Sequence, residues 1–503
     1  MNLPRGLAPG LAALALIAFP VVAQEPIDTV ANRKIREEGF SHSRVLETAL
    51  QLSDLAPPRL AGSPGYLAAG GWATRQLKEW GVTAAGLEPW GHNSPSWVLD
   101  RFSVELTAPW YLHLTAFPRA WSRATPKPVS GGVALVSIQS DSDFARYRGA
   151  LRGKVVLNGA WAAAVERDGP MVRRFTDAEL DSMERLADPG RPASPAADMQ
   201  PWKDLIIWGR AFSRFLREEG AIALLEPSEL DDALRVDGWF AYPGTPWPGV
   251  PSFVVTRAHF NRLVRLVQAG RPVRMTVNLQ SHLVRGDSLG YNVVAEIPGS
   301  DPALKRQVVM LGGHLDSWIS GTGAADNAAG CAVGMEVLRI LTAQGLQPRR
   351  TVRLVLWDAE EPSEDYSGSA GYVRRHFGPE APDFSVYFNY DMGSGRIRGI
   401  NLQGDRAARP IFESLLAPFA DLGANHVSIA NIGETDHVSF WARGLPAFQF
   451  IQDPLDYDSR VHHSDLDTGD YLREADLAQA AVVLASLVYH AAVRDELIPR
   501  GQP

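Results

Sequence analysis

Histidines and carboxylates recur along the second half of the chain at positions where they could hold metal ions together. They are His314, Asp316, Asp326, Glu360, Glu361, Asp391, His462 and His463. The HExxH motif of a mononuclear zinc site is absent from the sequence. Histidines combined with several carboxylates suit two zinc ions that share one carboxylate. Two dications carry four positive charges, three carboxylates offset three of them, and a bound hydroxide can neutralise the last. The residue types therefore predict a hydrolytic centre with two metal ions.

These residues must be positioned by strands, because they follow short apolar runs. His314 and Asp316 come after the run 308–311, which Gly312 and Gly313 are expected to stop. A short apolar run that ends in glycines is typical of a strand buried on both faces of a parallel or mixed sheet. Three later runs have the same form: 351–357 before Glu360 and Glu361, 384–390 before Asp391, and 445–451 before the loop with His462 and His463. In open α/β sheets ligands bind outside the carboxyl ends of the strands, so we expect these side chains to converge.

Asp326 has a different setting, since it directly precedes a helix and follows the glycine-rich loop 320–323. The apolar face of that helix includes Cys331, the single cysteine of the chain. A cysteine on such a face belongs to the core rather than to the chemistry. With one cysteine, no disulfide can form within the chain.

Length and composition describe an ordinary globular protein of two or three domains. The 503 residues are 45% hydrophobic and 21% charged, with a net charge of −8. Because there is no basic run, nucleic acid is excluded as a partner. Residues 1–23 combine one arginine, an apolar stretch and Val-Val-Ala, which is the pattern of a signal peptide cleaved after Ala23. We therefore expect a secreted or periplasmic protein without a membrane span once the signal is removed.

The remaining chain divides into four parts that differ in composition and in the pattern of apolar residues. Residues 24–42 are polar and are predicted to be a mobile leader. Residues 43–125 begin the catalytic domain, with two amphipathic helices around the turn-rich segment 57–65. Residues 126–283 contain short β-like runs between Pro- and Gly-rich loops and are predicted to form a smaller inserted β-rich domain. Residues 284–503 return to alternating strands and helices, which predicts an α/β fold with a mixed central β-sheet flanked by helices.

Five motifs connect the sequence to a known family. They are GGHLDS, GAADNAAG, WDAEE, NYDMGSG and HHSDLDT. Together, and in this order, they resemble the secreted dizinc exopeptidases, the M28-type metallopeptidases, which include aminopeptidases and glutamate carboxypeptidases. The resemblance covers the chain from about residue 40 to its end. It implies the zinc exopeptidase (phosphorylase/hydrolase-like) fold with an inserted protease-associated-like domain, and two Zn²⁺ per chain.

The resemblance also implies roles for individual residues. It places five metal ligands at His314, Asp326, Glu361, Asp391 and His463. Asp326 resembles the bridging aspartate, and Glu360 resembles the general base that takes a proton from a hydroxide-forming water between the two zinc ions. Asp316 resembles the acid that fixes the imidazole of His314. From the residues alone, His462 stays an alternative to His463 as a ligand.

The substrate end of the site is less defined by the sequence. Tyr457 could stabilise the oxyanion or simply pack, and Asp436 and His437 could belong to the substrate pocket or cap a helix. A free substrate amine would favour the acids Glu434, Asp436, Asp453 and Asp456, whereas a free carboxylate would favour Arg396, Arg443 and Arg460. We favour an aminopeptidase or dipeptidase that acts on peptides. A carboxypeptidase, another amide-processing enzyme and a homodimeric assembly remain open.

Overall fold

The structure is a computed structural model, and it describes residues 25–92, 95–164, 169–186, 200–238, 249–284, 289–363, 366–378 and 380–501. The predicted signal peptide lies outside the described residues. The helices are α1 (Thr29–Ser41), α2 (Val45–Leu52), α3 (Pro64–Glu79), α4 (Phe144–Tyr147), α5 (Asp177–Leu186), α6 (Gln200–Glu218), α7 (Arg257–Gln268), α8 (Ala329–Ala343), α9 (Ser367–His376), α10 (Arg409–Leu416), α11 (His437–Trp441) and α12 (Glu474–Val493). The strands are β1 (Ala84–His92), β2 (Ser96–Ala108), β3 (Leu112–His113), β4 (Ala116–Pro118), β5 (Val129–Val136), β6 (Lys154–Asn158), β7 (Ala223–Pro227), β8 (Ser252–Val255), β9 (Arg274–Val284), β10 (Leu289–Ile297), β11 (Val308–His314), β12 (Thr351–Trp357), β13 (Phe384–Asn389), β14 (Ile397–Asn401), β15 (His426–Ser428) and β16 (Ala447–Gln452).

The first sheet has the strand order β1-β10-β12-β11-β13-β16-β14-β15. Its centre, β12-β11-β13-β16, is parallel, whereas β10 and β14 join it antiparallel. The four strands predicted from the apolar runs are these four central strands. Every residue of β11, β13 and β16 is buried, as expected for strands covered by helices on both faces. The prediction of an α/β fold with a mixed central sheet is confirmed.

Strand β11 continues through the glycines that were expected to end it. It reaches His314 because the two glycines allow neighbouring groups to approach closely. A Cβ at Gly312 would lie 2.0 Å from the carbonyl oxygen of Val355, and one at Gly313 would lie 2.7 Å from the Asn327 amide nitrogen. The glycines therefore mark close packing at the end of the strand rather than a turn.

Helices α8 and α12 form the core on one face of this sheet. Among the described residues, α12 is a helix long and apolar enough to cross a membrane, and 89% of its apolar window is buried inside the protein. A helix that is apolar all round is typical of the centre of a large domain. We therefore interpret α12 as a core helix.

The prediction of a mobile leader at residues 24–42 is wrong for the part that the structure describes. Helix α1 begins at an N-cap where the Asp28 carboxylate accepts hydrogen bonds from the backbone N–H groups of Val30 and Ala31. Its buried face, which includes Ile35, packs against α8 and α12. The charged residues between the buried positions concealed this face in the sequence. Residues 29–41 therefore form an integral helix of the layer that α8 and α12 build on the first sheet.

This correction can be tested by shortening one side chain. Ile35→Ala is expected to lower the free energy of unfolding by about 2–5 kcal/mol, because Ile35 is completely buried. Chemical denaturation of residues 24–503 measures the effect. The matched control is Val30→Ala on the same helix, where the side chain is 54% exposed and the expected change is within about 0.5 kcal/mol. Equal effects at the two positions would contradict the packed helix.

The second sheet has the order β3-β2-β9-β5-β6-β7-β8-β4. It matches the β-rich texture of residues 126–283, but it also contains β2, β3 and β4. The boundary predicted between residues 125 and 126 therefore lies inside this sheet, which begins at Ser96. The observed boundary differs from the predicted one because β2 pairs antiparallel with β9 over its whole length. We refer to residues 96–284 as the second-sheet unit.

Candidate metal centre

The carboxyl ends of the parallel strands bring the predicted acids and histidines to one edge of the first sheet. His314 is the last residue of β11 and is paired in register with Trp357, the last residue of β12. Glu360 and Glu361 follow β12, and Asp391 follows β13. The convergence expected from the strand ends is therefore present in the fold.

Asp326 lies between the two histidines. Its Oδ1 is 3.2 Å from Nε2 of His314, and its Oδ2 is 3.3 Å from Nε2 of His463. A second acid completes each side, with Asp391 Oδ1 at 3.3 Å from His314 Nε2 and Glu361 Oε2 at 3.0 Å from His463 Nε2. The structure thus forms two groups, each with one imidazole and one carboxylate of its own, that share Asp326.

Both imidazoles are oriented by hydrogen bonds at the far ring nitrogen. The Nδ1–H of His314 donates to the backbone carbonyl of Asp316 at 2.9 Å, and the Nδ1–H of His463 donates to Oδ1 of Asp237 at 2.9 Å. Because a carbonyl oxygen can only accept, Nδ1 of His314 carries a proton, and Nε2 is the ring nitrogen that faces Asp326 and Asp391. Histidines that bind metals typically make this kind of bond.

The backbone carbonyl of Asp316, and not its side chain as expected, accepts the hydrogen bond from His314 Nδ1. Its Oδ1 lies 3.8 Å from His314 Nδ1, which is too long for a hydrogen bond. The carboxylate instead accepts the backbone N–H groups of Glu360 and Glu361, each at 3.2 Å. Burial raises the pKa of Asp316 to about 7. The side chain therefore fixes the loop that carries both glutamates.

Glu360 occupies a half-buried position beside other acids. Burial raises the pKa of its carboxyl group well above the ordinary value; His314 opposes this effect, and the charges of Asp391 and Asp436 reinforce it. A carboxyl group with a raised pKa can take up a proton near neutral pH, which is what a general base must do.

His462 is adjacent to the site but less engaged than His463. Its Nε2 lies 3.6 Å from Asp326 Oδ2, and its ring contacts that of His463 at 3.8 Å between centroids. Burial lowers the pKa of His462 to about 3, so it is neutral. The contacts of His463 with two acids, together with its oriented Nδ1, favour His463 as the ligand.

The predicted substrate residues surround this centre in different ways. Tyr457 is buried and its ring packs against His462 at 4.8 Å. His437 donates its Nε2–H to the carbonyl of Ile432 at 2.8 Å, and burial lowers its pKa to about 4, so it stays neutral. Its contact is internal to its own loop, which favours a structural role over substrate binding.

Asp436 is a buried acid whose hydrogen bonding is incomplete. It is completely buried, and within the described chain neither carboxylate oxygen has a donor in good hydrogen-bond geometry. The Ser369 hydroxyl is near enough to lower the pKa of Asp436, but it also lies 3.1 Å from the carbonyl of Tyr366 and 2.8 Å from the Ser439 hydroxyl. Burial raises the pKa of Asp436 well above its usual range. A buried carboxyl group left in this state is suited to receive a proton or a cationic group.

Three supporting residues were not anticipated from the sequence. Asp467 accepts hydrogen bonds from the backbone N–H groups of Ala325 at 2.6 Å and Asp326 at 3.2 Å, which fixes the backbone position of Asp326. The hydroxyl of Thr435 donates to Asp391. Asp237 belongs to the second-sheet unit. Asp467 lies within the motif HHSDLDT and could have been weighed there, whereas nothing in the sequence relates residue 237 to residue 463.

Comparison with known proteins gives a family match over the part of the chain that contains the predicted ligands. Residues 292–488 match Peptidase family M28. The chain contains a peptidase family M28 domain. This match confirms, over residues 292–488, the family resemblance drawn from the motifs.

Carboxypeptidase Q, the member of the family to which the motifs point, is among the relatives. The protein from Bos taurus is 31% identical over 255 residues, which are 50% of this chain and 52% of that protein. This alignment therefore spans about half of the bovine protein. The human protein is 26% identical over 464 residues, which are 92% of this chain and 88% of that protein.

Solved structures show the same fold. A peptidase M28 precursor from Shewanella amazonensis superposes with a TM-score of 0.71 at 23% identity and covers 94% of this chain and 98% of its own. A zinc aminopeptidase from Bacillus subtilis superposes with a TM-score of 0.59 at 17% identity and covers 90% of this chain and 95% of its own. At these identities the likeness concerns the fold alone.

Proposed function

We propose that this chain is a secreted zinc-dependent exopeptidase with two zinc ions. His314 and Asp391 would hold one ion, Glu361 and His463 the other, and Asp326 both. The observation that carries the proposal is the position of Asp326, whose two oxygens each face a different imidazole at 3.2 and 3.3 Å. Secretion rests on the signal pattern of residues 1–23, and a homodimer stays a prediction.

The donor set fits two zinc ions. Asp326 Oδ2 and Glu361 Oε1 are buried and make no hydrogen bond within the described chain. Ligand atoms of His314, Asp326 and Glu361 lie within 4.8 Å of one another, and so do those of Asp326, His462 and His463. Buried carboxylates gathered without protons repel one another, and metal cations at this position would offset that repulsion. Imidazole nitrogen and carboxylate oxygen are ligands that zinc accepts.

The residues of the chain would divide the reaction between them. Bound zinc ions would polarise the scissile carbonyl group and make a water molecule acidic enough to ionise near neutral pH. Glu360 would accept a proton from the attacking water and deliver it to the nitrogen of the leaving amine. Asp316 would hold Glu360 in place through its backbone N–H, at 3.2 Å. Tyr457 would donate a hydrogen bond to the oxyanion, and burial keeps its hydroxyl protonated by raising its pKa.

The charges around the site favour a substrate with a free amine. Arg396 and Arg460 are each 3.4 Å from an acid, Asp476 and Asp456 respectively, and Arg443 is exposed. Among Glu434, Asp436, Asp453 and Asp456, Asp436 is the acid with two buried oxygens that lack a hydrogen bond within the described chain. We therefore infer that it interacts with the amino group of the substrate, which makes the enzyme an aminopeptidase or dipeptidase. A carboxypeptidase is the second candidate, because relatives carry the name carboxypeptidase Q.

A set of dipeptides separates the two candidates. Each dipeptide is tested free, N-acetylated and C-amidated, with and without a chelator. We expect hydrolysis that the chelator abolishes and that N-acetylation blocks; C-amidation would leave hydrolysis by an aminopeptidase intact and would also block hydrolysis by a dipeptidase. Cleavage that amidation blocks and acetylation leaves intact would establish the carboxypeptidase. Hydrolysis that is unaffected by the chelator would contradict a metal-dependent enzyme.

A further inference from the structure

A short segment of the second-sheet unit lies directly against the loop that carries His463. Leu234 and Asp465 bond to each other twice: the N–H of Leu234 donates to Asp465 Oδ1 at 2.8 Å, and the N–H of Asp465 donates to the carbonyl of Leu234 at 3.0 Å. The N–H of Val236 donates to the carbonyl of His463 at 2.8 Å. Arg235 and Ser464 form an antiparallel bridge. We refer to residues 234–237 as the docking segment.

The side chain of Arg235 adds a second set of contacts to the same loop. Its Nε–H donates to the carbonyl of His462 at 3.1 Å, and its Nη2–H donates to the carbonyl of Asp458 at 3.0 Å. The docking segment therefore holds the loop that follows β16 and carries His463 at several backbone positions. These contacts matter because His463 has a positive φ of 56°, a conformation that non-glycine residues seldom adopt without support.

The docking segment ends in the carboxylate that orients the imidazole. Asp237 Oδ1 accepts the Nδ1–H of His463 at 2.9 Å, so that Nε2 faces Asp326 and Glu361. His314 is oriented differently, by a backbone carbonyl of its own domain. One half of the centre is therefore complete within the first sheet, whereas the other half takes its orienting group from the second-sheet unit.

We propose that Asp237 is a positioning residue and that the docking segment makes the zinc site of His463 and Glu361 dependent on the second-sheet unit. This inference rests on the proposed function only for the presence of the metal. Zinc binding and docking of the segment then strengthen each other, because each favours the same arrangement of the His463 loop. Removal of a carboxylate behind a metal-binding histidine typically weakens metal affinity 10–100-fold.

The test is the zinc affinity of Asp237→Asn in the full chain without its signal peptide. Competition with a chromophoric chelator gives the affinity of each zinc, and we expect one to weaken by about 10–100-fold while the other is unchanged. The matched control is Asp100→Asn, which removes another aspartate from a pair with a histidine in the same unit, where Asp100 Oδ2 lies 2.9 Å from Nδ1 of His282. We expect the control to leave both affinities unchanged. Unchanged affinities in Asp237→Asn, or equal losses at both zinc sites, would overturn the proposal.

A second measurement uses the unaltered protein and does not depend on the folding of a variant. Hydrogen exchange of the Val236 amide, which bonds to the His463 carbonyl, is followed with zinc and with a chelator. We expect slower exchange with zinc, and identical exchange would overturn the linkage. If Asp237→Asn weakens one zinc but the protein cleaves no peptide, the positioning role stands and the exopeptidase proposal fails.

Discussion

Replacing Glu360 with glutamine is expected to lower kcat by about 10²–10⁴-fold, the usual contribution of a general base. Glutamine has the size of glutamate but cannot take up a proton at its side chain. The contact between the Glu360 backbone and Asp316 is made by the main chain, so the substitution leaves it in place. Zinc content is expected to stay at the level of the unaltered protein, because Glu360 is not among the proposed ligands.

The measurement combines dipeptide hydrolysis with zinc analysis of the same sample. Glu474→Gln is the matched control, since it makes the same chemical change at an exposed residue in the first turn of α12. We expect the control to hydrolyse dipeptides at the normal rate. A Glu360→Gln protein with a near-normal rate would exclude Glu360 as the base, and one that had lost zinc would make it a ligand.

Replacing Asp326 with alanine is expected to remove metal as well as activity. The side chain faces Nε2 of both histidines, so its loss removes a donor from each half of the centre. Loss of a group that hydrogen-bonds to a metal ligand lowers metal affinity by about 10–100-fold. We expect the loss of a ligand shared by both ions to lower it by more than about 100-fold. Zinc analysis after dialysis against metal-free buffer should therefore show fewer than two ions per chain.

Asp326→Asn is the informative companion variant. It keeps the size of the side chain and one carbonyl oxygen, but it loses the negative charge. We expect it to retain more zinc than Asp326→Ala and less than the unaltered protein. Two zinc ions per chain in the alanine variant would refute the bridging role, whatever the activity of that variant.

The strand ends explain why so much of the site was predictable from sequence. The apolar runs before His314, Glu360 and Asp391 are visible without a structure, and parallel strands place their carboxyl ends at one edge. Asp326 could be placed by the helix that follows it. The main prediction that failed concerned residues 24–42, because the buried face of α1 is interrupted by charged residues and is recognisable only once α8 and α12 are in place.

Long-range contacts explain why the other features of the site were not predicted from the sequence. Asp237 is separated from His463 by 226 residues along the chain, and no local pattern reports such a contact. The role of Asp316 was misjudged for a related reason, since a sequence does not tell whether a backbone carbonyl or a side chain will reach an imidazole. The extension of β11 through Gly312 and Gly313 depended on how closely Val355 and Asn327 approach.

In the proposed centre, two zinc ions both depend on Asp326. The most direct test is to strip the protein with a chelator and titrate zinc back while hydrolysis of a free dipeptide is measured. The proposed centre predicts that activity is restored fully at two equivalents of zinc per chain and that Asp326→Ala is not restored at that point. Full activity at one equivalent, or activity that survives complete removal of zinc, would contradict it.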